Sequence, residues 1–82
     1  MMSLQDCLSL PMNIRRLVGQ NVKTHRESAG LSQEALAFEC GLHRTYISGV
    51  ERGVRNPTVE VLEKIALALN LETHRLLLHP DN

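Results

Sequence analysis

Eighty-two residues are enough for one small domain and too few for a second core. Apolar residues make up 43% of the chain but aromatics only 2%, so the interior must be built from Leu, Ile, Val and Ala, a composition that favours packed helices. Nine basic residues against nine acidic ones leave no net charge, which argues against a bulk electrostatic coat for polyanions.

Cys7 and Cys40 are too few and too far apart for a disulfide framework. The four histidines, His25, His43, His74 and His79, contain no HxxxH pair, so no metal site is expected. The start, MMSLQDCLSLPM, lacks a cationic leader, and Gln5, Asp6 and Ser9 interrupt its apolar run. No apolar stretch approaches the roughly 20 residues that span a bilayer. A cytoplasmic protein with no membrane partner is expected.

Residues 1–12 read as a flexible N-terminal arm, 13–79 as a single domain and 80–82 as a C-terminal tail. Asn13 can cap a first helix in which Ile14, Leu17, Val18 and Val22 recur at helical spacing, and Gly30 ends it. Ser32 can cap a second helix of about two turns that stops at Gly41. A third opens at Leu42 or His43, turns Tyr46, Ile47 and Val50 inward and ends at Gly53. Pro57 keeps Asn56 out of helix, and Thr58 caps a fourth helix with an apolar stripe of Val61, Leu62, Ile65, Ala66 and Leu69. Asn70 closes it, and Thr73 is expected to cap a fifth short helix carrying Leu76, Leu77 and Leu78. The fold class is thus all-α, a compact five-helix domain.

Charge is unevenly spread. Residues 43–56 hold Arg44, Arg52 and Arg55 against Glu51, and residues 13–31 hold Arg15, Arg16, Lys23 and Arg26 against Glu27. Residues 57–82 lean acidic. One end of the molecule is therefore suited to phosphates, the other to a protein.

The pattern R-x-x-x-G-L-S-Q-E-x-L-A over Arg26–Ala37, G-L-x-R-x-Y-I-S over Gly41–Ser48, E-R-G over Glu51–Gly53 and R-N-P-T over Arg55–Thr58 resembles the Cro/lambda-repressor-like, or XRE, helix-turn-helix family. The resemblance runs from about Val22 to Leu78, and the block LHRTYISGVERGVRN looks most like controller proteins of restriction–modification systems. It implies a lambda-repressor-like domain with the helix-turn-helix at helices 2–3. The implied function is a homodimeric, sequence-specific regulator on a pseudo-palindromic operator, controlling restriction–modification genes and its own gene. Two recognition helices would enter major grooves about 34 Å apart.

Each residue type then has a mechanical reason. Gly41 permits a sharp turn and Ala37 a close approach of two helices. Ser32 and Gln33 can aim a hydroxyl, an amide and backbone N–H groups at a phosphate. Arg44 can bond O6 and N7 of a guanine together, and Thr45 offers a hydroxyl and a methyl to thymine, with Ser48 a turn further on. Tyr46 divides between core and phosphate contact. His43 stands as a cap or phosphate neighbour, where the family commonly has Ser, Thr or Asp. Arg52, Arg55 and Asn56 complete the DNA-facing set. The resemblance implies a structural ion pair between Arg26 and Glu51 that ties the first helix to the third. Cys40 reads as a buried, inert thiol.

Leu76, Leu77 and Leu78 cannot all point inward on one helix, so with Leu71 they form the expected dimer interface. Double-stranded DNA and a second copy of the chain are the expected partners; no cofactor or small-molecule ligand is expected. The same fold also serves antitoxin-like protein-interaction modules and phage-type repressors, and the neutral charge and leucine-rich end keep the former open. No carboxylate pair, nucleophile–base set or phosphate-cradling loop points to an enzyme.

Overall fold

The computed structural model describes residues 13–79. Within them α1 (Ile14–Ser28), α2 (Gln33–Cys40), α3 (Arg44–Glu51) and α4 (Val59–Ala68) follow in order, and a 3-10 segment (Thr73–Leu77) closes the chain. The expected arm 1–12 and tail 80–82 lie outside the described residues.

Local chemistry sets most of the boundaries. Asn13 Oδ1 accepts from the N–H groups of Arg15 and Arg16, at 3.1 and 3.4 Å, satisfying donors that α1 leaves open. Ser32 and Thr58 do the same for α2 and α4, their hydroxyls accepting from Ala35 N–H at 3.0 Å and Val61 N–H at 3.1 Å. Gly41 ends α2 in the left-handed region, at φ 69°, where a side chain would be strained. Asn70 ends α4 at φ 59°.

The helices enclose one core in which Val22, Leu36, Ile47, Val50, Ile65 and Leu76 are essentially sealed from water. Burying each such side chain stabilises the fold by about 1.5–3 kcal/mol. The α4 stripe is seated as its spacing implied: Leu62, Ile65, Ala66 and Leu69 are buried, and Val61 packs partly against them. Gly19 brings α1 against the end of α3, since a Cβ there would overlap the carbonyl oxygens of Val50 and Glu51. That contact fixes where α3 lies.

The expected fifth α-helix is not formed: the described residues contain four. Glu72, not Thr73, stands at the cap position of the terminal segment, and its side chain makes no capping bond. Five residues close through Arg75 N–H to Glu72 O, three residues apart, and such a short element gains too little to nucleate an α-helix. The segment is held instead by tertiary contacts. Buried Asn21 on α1 donates from its amide to Leu76 O at 2.9 Å and Leu78 O at 2.6 Å. Leu76 consequently points into the core, fully buried within one chain, which corrects its assignment to a dimer interface.

Candidate nucleic-acid interface

The turn between α2 and α3 is pinned by Leu42 N–H to Ala37 O at 2.9 Å and Gly41 N–H to Phe38 O at 3.2 Å. Ala37, buried and small, lets the two helices meet. Helical periodicity then divides α3. Ile47 and Val50 go into the core, while Arg44, Thr45 and Arg52 are exposed and Ser48 is half-buried. Arg44, Ser48 and Arg52 follow one another at four-residue intervals and so share one face. The side chains of Arg44 and Thr45 are both exposed at the first turn of α3. His43 holds the cap position of α3 without a side-chain capping bond, so it does not serve as a side-chain cap; an imidazole at this extended residue (φ −82°, ψ 147°) leaves the helix N-terminus open.

Behind this face lies a polar knot. Arg26 on α1 donates from Nε to Glu51 Oε2 at 2.6 Å and from Nη2 to Glu51 Oε1 at 3.0 Å, and from Nη1 to Leu31 O at 2.8 Å. Gln33 Nε2 donates to Glu51 Oε1 at 3.0 Å. One carboxylate, only 4% exposed, thus joins α1, α2 and α3. The hydrogen bonds from Arg26 to Glu51 raise the guanidinium pKa further above its ordinary value, against the opposing cost of burial. Gln33 is therefore committed at one amide hydrogen, which holds its head at the start of α2. Ser32 is exposed beside it, its oxygen capping α2.

After α3 the chain turns so that Arg55 returns across the helix. Its guanidinium carbon lies 5.5 Å from the centre of the half-buried Tyr46 ring. Asn56 is exposed but borders a shallow apolar pocket with Ile14, Val18, Pro57, Leu62 and Leu77, on the α1–α4 side. The structure therefore groups Ser32, Gln33, His43, Arg44, Thr45, Tyr46, Ser48, Arg52 and Arg55 around α3 and sets Asn56 at its margin.

Of the leucines expected at a dimer interface, Leu71 packs half-buried against the core, and Leu77 and Leu78 are 43% and 41% exposed. Phe38, given no role from sequence, is 84% exposed on α2. Its spacing was the available signal, since Leu36, Ala37 and Cys40 mark the buried face and Phe38 falls off it. No described helix is long and apolar enough to cross a membrane, and the described residues contain no cluster of three metal-ligating side chains.

Comparison with known proteins matches residues 22–76 to the helix-turn-helix family model HTH_3. The control protein C.BamHI of Bacillus amyloliquefaciens is 54% identical over 66 residues, covering 79% of this chain and 82% of that protein. Among solved structures, the hypothetical transcription factor NHTF from Neisseria superposes with a TM-score of 0.81 at 41% identity, over 89% of this chain and 86% of that one. The restriction–modification controller protein C.AhdI from Aeromonas hydrophila gives a TM-score of 0.74 at 45% identity, over 76% of this chain and 94% of that one. With its helix-turn-helix and exposed α3 face, this chain belongs to the XRE-type helix-turn-helix family of DNA-binding transcriptional regulators and stands close to the controller proteins of restriction–modification systems.

Proposed function

We propose that the protein works as a homodimer on a pseudo-palindromic operator, regulating restriction–modification genes together with its own gene, in the cytoplasm and by binding rather than catalysis. The observation that carries this is the α3 face: Arg44 and Thr45 stand exposed at the first turn of a helix whose other side is locked into the core. Arg44 and Thr45 read base edges, while Ser32, Gln33, His43, Ser48 and Arg52 position the helix against phosphates. Likeness to C.BamHI and C.AhdI supports the restriction–modification setting.

Exposed Leu77 and Leu78, with Ile14 across the pocket from Leu77, supply the apolar surface for a second copy. Footprinting on the DNA upstream of the gene, combined with sedimentation of the free and bound protein, tests both halves. Two protected half-sites one helical turn apart, occupied by two chains, are expected. Retention by a monomer that is equal for all sequences and lost alike as salt rises would refute the reading.

A protein-interaction module is the second reading, and Phe38 is the observation that favours it. An aromatic ring 84% exposed between Glu34 and Glu39 is an unusual surface choice unless something covers it. A co-purifying protein lost on Phe38→Ser, with DNA binding absent, would select it.

A further inference from the structure

Gly49 occupies the middle of α3, an eight-residue helix in which glycine is a poor helix former. Its φ is not in the left-handed region, so backbone freedom does not explain the choice. Space does. A Cβ built on Gly49 would find Arg55 as its three nearest neighbours: Cγ at 2.6 Å, Nε at 3.3 Å and Cδ at 3.5 Å. The aliphatic stem of Arg55 thus lies flat on the helix, in the notch left by the missing side chain.

Two further contacts hold it there. Gly49 O accepts from Val54 N–H at 3.0 Å and from Arg55 N–H at 3.2 Å, tethering the returning loop to the same residue. The guanidinium then rests over the Tyr46 ring, 5.5 Å from its centre. Gly49 follows Thr45 by one turn, so the seat is next to the row that carries Arg44, Ser48 and Arg52.

We propose that Gly49 is a positioning residue for DNA binding: its bare Cα seats Arg55 on the recognition helix, and Tyr46 holds the cationic head beside the base-reading side chains. Stacking on a ring face leaves the N–H groups at the rim of the guanidinium open to a phosphate or a base edge. An arginine ordered before binding has less rotamer freedom to lose when it binds. This role rests on the reading of α3 as the recognition helix, and it adds to that helix a cation from outside it.

The test uses the full chain and a labelled duplex selected from a randomised pool with the wild-type protein. Gly49→Ala is expected to fold with a melting temperature close to wild type, the better helix preference of alanine offsetting the displacement of the Arg55 stem. It is expected to bind that duplex about tenfold more weakly, as Arg55→Ala does. The double variant is expected to bind no more weakly than Arg55→Ala alone, the signature of two residues acting through one group. In the free wild-type protein, relaxation of the Arg55 Nε–H by NMR is expected to show more order than that of exposed Arg15.

Wild-type affinity in folded Gly49→Ala, losses that multiply in the double variant, or no effect of Arg55→Ala each overturn the proposal. If Gly49→Ala does not fold, an Arg55 head as mobile as that of Arg15 still overturns it. Arg44→Ala separates this inference from the wider reading. Binding that withstands Arg44→Ala but falls with Gly49→Ala and Arg55→Ala leaves the seat standing and removes Arg44. Binding lost with Arg44→Ala but not with Gly49→Ala removes the seat alone.

Discussion

The Arg26 guanidinium and the Glu51 carboxylate meet through two hydrogen bonds, at 2.6 and 3.0 Å, joining α1 to the end of α3 with side chains 11% and 4% exposed. Removing one partner strands the other charge in a poorly hydrated place, and it also frees the Gln33 amide that shares Glu51. Glu51→Ala is therefore expected to cost about 3 kcal/mol or more in urea unfolding, a large share of a small domain's stability. Replacing both charges, Arg26→Met with Glu51→Leu, is expected to recover most of that loss. A double variant as unstable as Glu51→Ala would show that the charge pair is not the source of the effect.

Arg44 opens α3 and Arg52 stands at its C-cap, two turns further along the same face. Arg44→Ala is expected to weaken binding by about 1–3 kcal/mol and to relax preference at one base position. Arg52→Ala is expected to weaken all duplexes alike and to lower the salt slope by about one. Anisotropy titrations on single-base duplex variants at several salt concentrations measure both. Unchanged base preference in folded Arg44→Ala would remove it from the reading surface.

Leu76 and Leu78 are neighbours with opposite expected phenotypes. Leu76 is fully buried, so Leu76→Ala is expected to cost about 2–5 kcal/mol of stability. Leu78, 41% exposed, loses less packing than Leu76 when changed to Ser, and its substitution is expected to raise the dimer dissociation constant as its main effect. Thermal melts at low concentration and sedimentation over a concentration series separate the two.

Cys40 is buried, its Sγ 3.7 Å from Lys64 O, and burial, with a smaller contribution from Glu39, pushes its thiol pKa up while Lys64 opposes the shift. The native fold thus favours the protonated form. Its contribution to stability is present below the pKa of a free thiol and lost as pH rises through the raised value. In a Cys7→Ser chain at neutral pH, alkylation of Cys40 by iodoacetamide is expected to be slow and to accelerate sharply in denaturant. Free-thiol rates in the native protein would contradict this.

Four helices were legible because three carry side-chain caps and the uncapped α3 is set off by Gly41 before it and Gly53 after it. Asn13, Ser32 and Thr58 cap locally, Gly41 and Asn70 stop locally, and the apolar spacing of α4 needs no knowledge of its neighbours. The terminal segment carries no such local signal. Its 3-10 form depends on Asn21, more than fifty residues earlier in the chain, drawing in the carbonyls of Leu76 and Leu78.

The same division runs through the site. The residue types of α3, and which of them face water, follow from sequence because a 3.6-residue period assigns Ile47 and Val50 to one side and Arg44 and Thr45 to the other. The commitment of Gln33 to Glu51, the burial of Leu76 and the seat of Arg55 on Gly49 were decided only by the fold. Capping and periodicity act within a few residues, where spacing is geometry. A side chain's partner across the core depends on how the helices cross, and that angle is set by close contacts such as Gly19 against the Val50 and Glu51 carbonyls, which no local pattern records.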